Sequence, residues 1–261
     1  MKRVWITGAS SGIGEACSYE YARGGASLVL TSTSADKLEA VAQRCREIGA
    51  AEVCVLPYDL SQPEGIADLC DAAWEAFDGL EIVFLNAGVS QRTTVDGTSV
   101  DMLRKLMEIN YFAPVAMAKE LLPRMVAAGG GRIAVTTSIA GYFGFPLRCG
   151  YSASKHALYG FFETLQAEYA DKGISVTVVC PGRVRTNISL NALAEGGAKY
   201  GKMDPGQAGG IPADKAARRI VRTIARRRRE VLVGGKELLM VYVKRFLPGL
   251  CARIGRKISP V

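Results

Sequence analysis

The chain has 261 residues, 49% of them hydrophobic, enough to bury a large core within a single α/β domain. Its 33 Lys and Arg outnumber 25 Asp and Glu, a net charge of +8 that raises nucleic acid or an anionic membrane as partners to be weighed. No run of 18 apolar residues occurs, a strand-like run at residue 4 leaves no room for a secretory leader, and seven cysteines, an odd number without metal-ligand spacing, fit reduced thiols. The expectation is therefore a cytoplasmic protein without a membrane span or a metal site.

Val4-Trp5-Ile6 reads as a short strand that leads into Thr7-Gly8-Ala9-Ser10-Ser11-Gly12-Ile13-Gly14 and then a helical pattern. Glycines let the backbone turn tightly and approach a ligand, and free N–H groups at a helix start attract a pyrophosphate. Further apolar runs fall at residues 27–31, 52–56, 82–85, 131–136, 174–179 and 231–233, separated by segments of helical periodicity. This alternation predicts an α/β fold, a doubly wound and mostly parallel seven-stranded sheet with helices on both faces. Ligands in such folds collect at the carboxyl ends of the strands. Ser61 with Glu64, and Thr98 with Asp101, read as capping boxes that open the next two helices.

Asn86-Ala87-Gly88 closes the run at 82–85, Asn110 lies in a helix, and Ser138 follows the run at 131–136. Tyr151 and Lys155, four positions apart on a helix, share one face. A neighbouring ammonium would lower the phenol's pKa from its usual ~10 and make it a usable acid and base. Apolar residues Ile139, Tyr142, Phe143, Phe145 and Leu147 precede it as candidate pocket walls. Pro181-Gly182 follows the run at 174–179, and the Gly-rich stretch 187–211 reads as a mobile flap.

Arg226 through Arg229 close a helix, where cations complement the dipole, and no aromatic residues interleave for base stacking. Nucleic acid is therefore not an expected partner. Residues 1–235 form the main domain and 236–261 a basic amphipathic extension. In it Leu238, Leu239, Val241, Tyr242, Phe246, Leu250 and Ile254 mix with Lys244, Arg245, Arg253, Arg256 and Lys257 around a break at Pro248. That extension would pack on the domain or a partner subunit, or else hold the protein peripherally at the inner membrane surface.

In their order and separations these motifs resemble the short-chain dehydrogenase/reductase family over nearly the whole chain, and so imply a Rossmann fold. The resemblance implies hydride transfer between a nicotinamide cofactor and a carbonyl or alcohol. Asn110, Ser138, Tyr151 and Lys155 would be the catalytic tetrad. Tyr151 would be the proton donor, Ser138 would bond the same substrate oxygen, Lys155 would also hold the nicotinamide ribose, and Asn110 would position a water. Cofactor contacts would come from Gly8, Ser10, Ser11, Gly12, Ile13 and Gly14, from Ser32 and Thr33, from Asp59 and Leu60, and from Asn86, Ala87 and Gly88. Tyr151, Lys155, Pro181, Gly182, Val184 and Thr186 would complete them.

At the end of the second strand, Leu30-Thr31-Ser32-Thr33-Ser34 offers hydroxyls and no carboxylate, which favours NADP (NADPH) with NAD as the alternative. Thr33 and Ser11 depart from the basic residues that NADP-preferring relatives often carry, and Lys37 is a substitute. A hydrophobic small-molecule substrate and carbonyl reduction are expected, against the alternative of a catalytically silent NADP-binding scaffold. Gly88-Val-Ser-Gln-Arg92 and Gly201-Lys-Met-Asp-Pro-Gly-Gln207 are similar to membrane-associated dehydrogenase/reductases related to hydroxysteroid dehydrogenases, which suggests lipid-like carbonyls. His156 is read as structural. The stripe of Leu158, Phe161, Phe162 and Leu165 would form the interface of a homodimer or homotetramer.

Overall fold

The computed structural model describes residues 2–256. Lys257, the last cation of the amphipathic extension, lies outside the described residues. Strands β1 (Arg3–Thr7), β2 (Ser27–Thr31), β3 (Glu52–Val55), β4 (Ile82–Leu85), β5 (Gly131–Thr136), β6 (Ile174–Pro181) and β7 (Glu230–Val233) pair in the order β3-β2-β1-β4-β5-β6-β7. Every pairing is parallel, so the sheet is wholly parallel rather than mostly so.

Strands buried on both faces are apolar throughout, which is why they read as continuous runs. Period-2 alternation then divides them between two cores. Val4, Ile6, Leu28, Leu30 and Phe84 face α1 (Gly12–Arg23), α2 (Ala35–Ile48) and α8 (Ala213–Ala225). Trp5, Val29, Val83, Ile133 and Val176 face α3 (Ile66–Glu75), α5 (Ala113–Ala127) and α6 (Cys149–Tyr169). Trp5 is fully buried, and its indole N–H donates to Thr31 Oγ1 at 3.0 Å. Leu158, Phe162 and Leu165 also sit in the second core, so most of the α6 stripe packs within this chain and Phe161 is half-buried. Winding reverses between β1 and β4, which opens a crevice above their carboxyl ends.

Neither capping box forms. The Ser61 N–H donates to Asp59 Oδ1 at 2.9 Å, and a single 3₁₀ turn, Pro63–Gly65, precedes α3. Helix α4 (Val100–Met107) is capped one residue later than expected, by Ser99 accepting from the Met102 N–H at 3.2 Å, while the Thr98 hydroxyl donates to the Thr94 carbonyl. A π-helical turn, Glu108–Phe112, joins α4 to α5 and carries Asn110.

The stretch at 187–211 is hydrogen-bonded to the segment that follows β4. Arg92 N–H donates to the Leu193 carbonyl and Leu193 N–H to the Ser90 carbonyl, each at 2.8 Å, while Ser189 and Asp204 are buried. It includes a short helix, α7 (Pro205–Ala208). Beyond β7 the chain forms α9 (Leu239–Phe246) and α10 (Pro248–Gly255), divided at Pro248. Val241 and Cys251 pack these helices on Ile139 and Phe143, directly behind Ser138. Leu239, Tyr242, Phe246, Leu247 and Leu250 remain exposed. No helix among the described residues is long and apolar enough to cross a membrane.

Candidate active site

A cleft of about 1050 Å³ runs along the carboxyl ends of β1, β2, β4, β5 and β6. Its first end is the glycine turn after β1. Gly8 has φ +66° and Gly12 φ +61°, conformations that other residues adopt only with strain. A Cβ on Gly8 would lie 2.9 Å from Ala87 Cα, and one on Gly14 only 2.2 Å from the Gly8 carbonyl oxygen. Gly8, Ser10, Ser11, Gly12 and Ile13 therefore line the cleft as a shallow cradle at the start of α1, suited to a pyrophosphate. Gly14 does not line it; this glycine lets α1 pack onto the strand.

Ser32, Thr33, Ser34 and Lys37 continue the wall beyond β2, and Asp59 and Leu60 face the cleft beyond β3. Asn86, Ala87 and Gly88 line the floor. The Asn86 side chain braces strand ends: its Nδ2 donates to the Thr7 carbonyl at 3.1 Å, and its Oδ1 accepts from Thr136 Oγ1 at 3.0 Å. Pro181, Gly182, Val184 and Thr186 line the side beyond β6. Thr186 lies over the glycine turn, since a Cβ on Gly12 would come within 2.9 Å of its methyl, and its hydroxyl accepts from Gln207 Nε2 at 3.1 Å.

Tyr151 and Ser138 face the same space, with Ser138 within hydrogen-bonding reach of the phenol. Ser138 Oγ also accepts from the Ala140 N–H at 3.1 Å and so caps the turn Ile139–Gly141. Lys155 and Asn110 stand behind the wall. Lys155 Nζ donates to the Thr136 carbonyl at 2.8 Å and lies 5.8 Å from the centre of the Tyr151 ring. The Asn110 amide exchanges 2.9 Å bonds with the Val89 main chain and donates to Ser154 Oγ at 3.0 Å. Gly88 separates the two, because a Cβ there would lie 3.0 Å from Asn110 Oδ1 and 3.2 Å from Lys155 Nζ. The four tetrad candidates, scattered over 45 positions, thus converge on the ends of β4 and β5.

Electrostatics at this centre differ from the expectation. Burial raises the Tyr151 phenol above its ordinary value, and the influences that oppose it are the Ser138 bond and the charges of Arg148 and Arg92. Lys155, on the same helix, is itself strongly perturbed. Its own ammonium is buried and pushed down to about 7 by loss of solvent.

Arg92, Arg148 and Asp204 in the cleft wall, and Gln91 behind it, escaped sequence reasoning. Arg92, 2% exposed, grips Asp204 with Nε and Nη2, and Arg148 Nη2 donates to Asp204 Oδ2 at 2.9 Å. Gln91 is also buried, and its Oε1 accepts from the Gly150 and Tyr151 N–H groups at 2.8 and 3.2 Å, fixing the first turn of α6. Gln91, Arg92 and Asp204 all fall within the strings 88–92 and 201–207, the available signal. Among the apolar candidates, Ile139 and Phe145 line the cleft. Tyr142 instead donates to Glu230, Phe143 packs against the C-terminal helices, and Leu147 sits in a strained turn at φ +61°. His156 is exposed, with Nδ1 2.7 Å from the Ser152 carbonyl.

A nucleotide-sized cleft at a winding reversal, a glycine cradle at one end and a buried Tyr, Ser, Lys and Asn group at the other define a Rossmann-type dinucleotide enzyme. The short chain dehydrogenase profile matches residues 2–195. A Drosophila melanogaster relative described as a dehydrogenase/reductase SDR family protein 7-like is 39% identical over 249 residues, covering 94% of this chain and 76% of that one. A short-chain dehydrogenase/reductase of Burkholderia phymatum solved with NAD superposes with a TM-score of 0.83 at 26% identity, over 100% of this chain and 96% of that one. One from Sphingobium yanoikuyae solved with NADPH gives 0.79 at 26%, over 100% and 98%. The chain belongs to the short-chain dehydrogenase/reductase family and is an oxidoreductase of the CH–OH/C=O class that uses a nicotinamide cofactor.

Proposed function

We propose that this oxidoreductase is a carbonyl reductase for hydrophobic ketones and aldehydes, with NADPH as its preferred cofactor and Tyr151 as its proton donor. The observation that carries this reading is a buried phenol facing the cleft, with a serine hydroxyl in reach and a lysine and asparagine locked behind it. When bound, the nicotinamide supplies the hydride. Tyr151 gives its proton to the carbonyl oxygen, and a raised pKa keeps that proton available throughout the neutral range. Ser138 orients the same oxygen and steadies the charge that develops on it. Lys155, neutral or charged near pH 7, exchanges protons with the site.

The glycine cradle fits a pyrophosphate, and the residues beyond β2 fit a 2′-phosphate better than a bare ribose. Ser34 precedes α2 without its hydroxyl engaged in a cap, and Ser32, Thr33 and Lys37 line the same wall with no carboxylate among them. Ile139, Phe145 and Leu193 supply an apolar lining for the substrate body. The Tyr151→Phe variant tests the reading. It should bind NADPH as the parent does and lose roughly 10²- to 10⁴-fold in kcat, the usual range for removing a general acid. Undiminished turnover of aldehydes by that variant would remove Tyr151 from the reaction.

A further inference from the structure

Two guanidinium groups meet one carboxylate in the wall of the cleft. Asp204 accepts from both Arg92 and Arg148, and side-chain exposures of 2%, 20% and 6% for Arg92, Arg148 and Asp204 put all three largely out of water. One positive charge in this group has no counterpart. Burying an uncompensated charge is costly, and arginine, unlike lysine, does not escape by losing its proton. The missing anion must therefore come from outside the group.

Hydrogen bonds distinguish the two arginines. Arg92 is almost fully engaged: Nε and Nη2 hold Asp204, and Nη1 donates to Ser90 Oγ at 2.9 Å and to the Gln91 carbonyl at 2.6 Å. The Arg148 guanidinium makes one hydrogen bond among the described residues, from Nη2 to Asp204, and its Nε is buried without a partner there. A guanidinium carries five N–H donors, so most of Arg148 is free for a ligand. It lies beside the Phe145 ring, 5.6 Å from its centre, and faces the cleft with Tyr151 three residues further along the chain. Cofactor phosphates do not answer this charge, because the cradle that fits them is at the opposite end, beside α1.

We propose that Arg148, mounted on the Arg92–Asp204 pair, is an anion-binding subsite, and that the substrate joins an apolar body to a carboxylate or phosphate as well as to the reacting carbonyl. Resting on the reading of Tyr151 as proton donor, this narrows the substrate from hydrophobic carbonyls in general to anionic ones. Phe145 packs against the apolar body, and the planar fork of Arg148 takes two oxygens of the anion.

Calorimetric titration of the NADPH-loaded protein with octanoate, octyl phosphate and octan-1-ol tests this without turnover. At least one anion should bind roughly 10- to 100-fold more tightly than the alcohol, the range expected for a hydrogen bond to a charged group. The preference should fall below threefold in Arg148→Gln and survive in part in Arg148→Lys, which keeps the charge should the glutamine variant fold poorly. Whichever of the two anions is preferred distinguishes a carboxylate from a phosphate ligand. Equal binding of all three, binding of none, or a preference intact in Arg148→Gln would overturn the proposal. Reduction of neutral hexanal by the same sample reports on Tyr151 separately. Hexanal turnover without anion preference refutes the subsite alone, and anion preference without turnover refutes the reductase reading alone.

Discussion

Lys155 is buried at 3% exposure with a single hydrogen bond, and its stability signature follows from that environment. Loss of solvent holds its ammonium down at about 7, against an ordinary 10.5. At about 1.4 kcal/mol per pKa unit, charging it in the folded protein is opposed by about 5 kcal/mol. Between pH 7 and 10.5 the unfolded chain holds this proton and the folded one does not, so the residue's contribution to stability rises with pH across that window. Below pH 7 the folded protein carries the full penalty. Lys155→Met keeps the aliphatic stem and removes the titration, but forfeits the 2.8 Å bond to the Thr136 carbonyl, about 1 kcal/mol. In urea unfolding of the cofactor-free protein, the variant should be more stable than the parent by about 3 to 4 kcal/mol at pH 6 and less stable by about 1 kcal/mol at pH 10.5. A difference that does not change with pH, or a variant less stable at pH 6, would refute the argument.

Gln91→Leu should strip the acceptor from the Gly150 and Tyr151 N–H groups, costing about 1–3 kcal/mol in thermal unfolding and lowering kcat more than cofactor affinity. Gly14→Ala places a methyl 2.2 Å from the Gly8 carbonyl, which cannot yield without moving the turn; NADPH affinity by fluorescence titration should drop at least tenfold. By contrast, Gly25→Ala meets nothing within 4 Å at φ +68°, and should cost about 1 kcal/mol of backbone strain with cofactor binding intact. Ser32→Asp sets a carboxylate where a 2′-phosphate would lie, so the ratio of NADH to NADPH affinity should rise by roughly tenfold or more. An unchanged ratio would mean that the hydroxyl wall beyond β2 does not read the phosphate.

Strands are legible because a doubly covered parallel sheet demands continuous apolar runs, and the convergence of Asn110, Ser138, Tyr151 and Lys155 was legible only through the family resemblance. Details set by competition were not. The Ser61 box lost to Asp59, which already bonds the Ser61 N–H, and to Pro63, whose fixed φ starts a tight turn there. Thr98 was outbid in the same way by the Thr94 carbonyl, which left the cap to Ser99. The segment 139–147 has no periodicity that could divide its apolar residues between cleft and core, so Phe145 and Phe143 look alike until the C-terminal helices cover one of them. Arg92 and Asp204 are 112 positions apart, and nothing local relates two charged residues at that separation.

The site contains two solutions to the burial of a cation, and they divide the work differently from a simple Tyr–Lys pair. Among the described residues Lys155 makes no ion pair, and burial pulls its titration into the neutral range, where it can gain and lose a proton but is a poor permanent charge. Arg92 and Arg148 instead share the carboxylate of Asp204. The positive field that opposes burial at Tyr151 comes from Arg148 and Arg92. A ligand anion on Arg148 would weaken that field and hold the phenol in its protonated form. On the proposed reading of Tyr151 as proton donor, an anionic substrate would add to the burial that already keeps the phenol protonated.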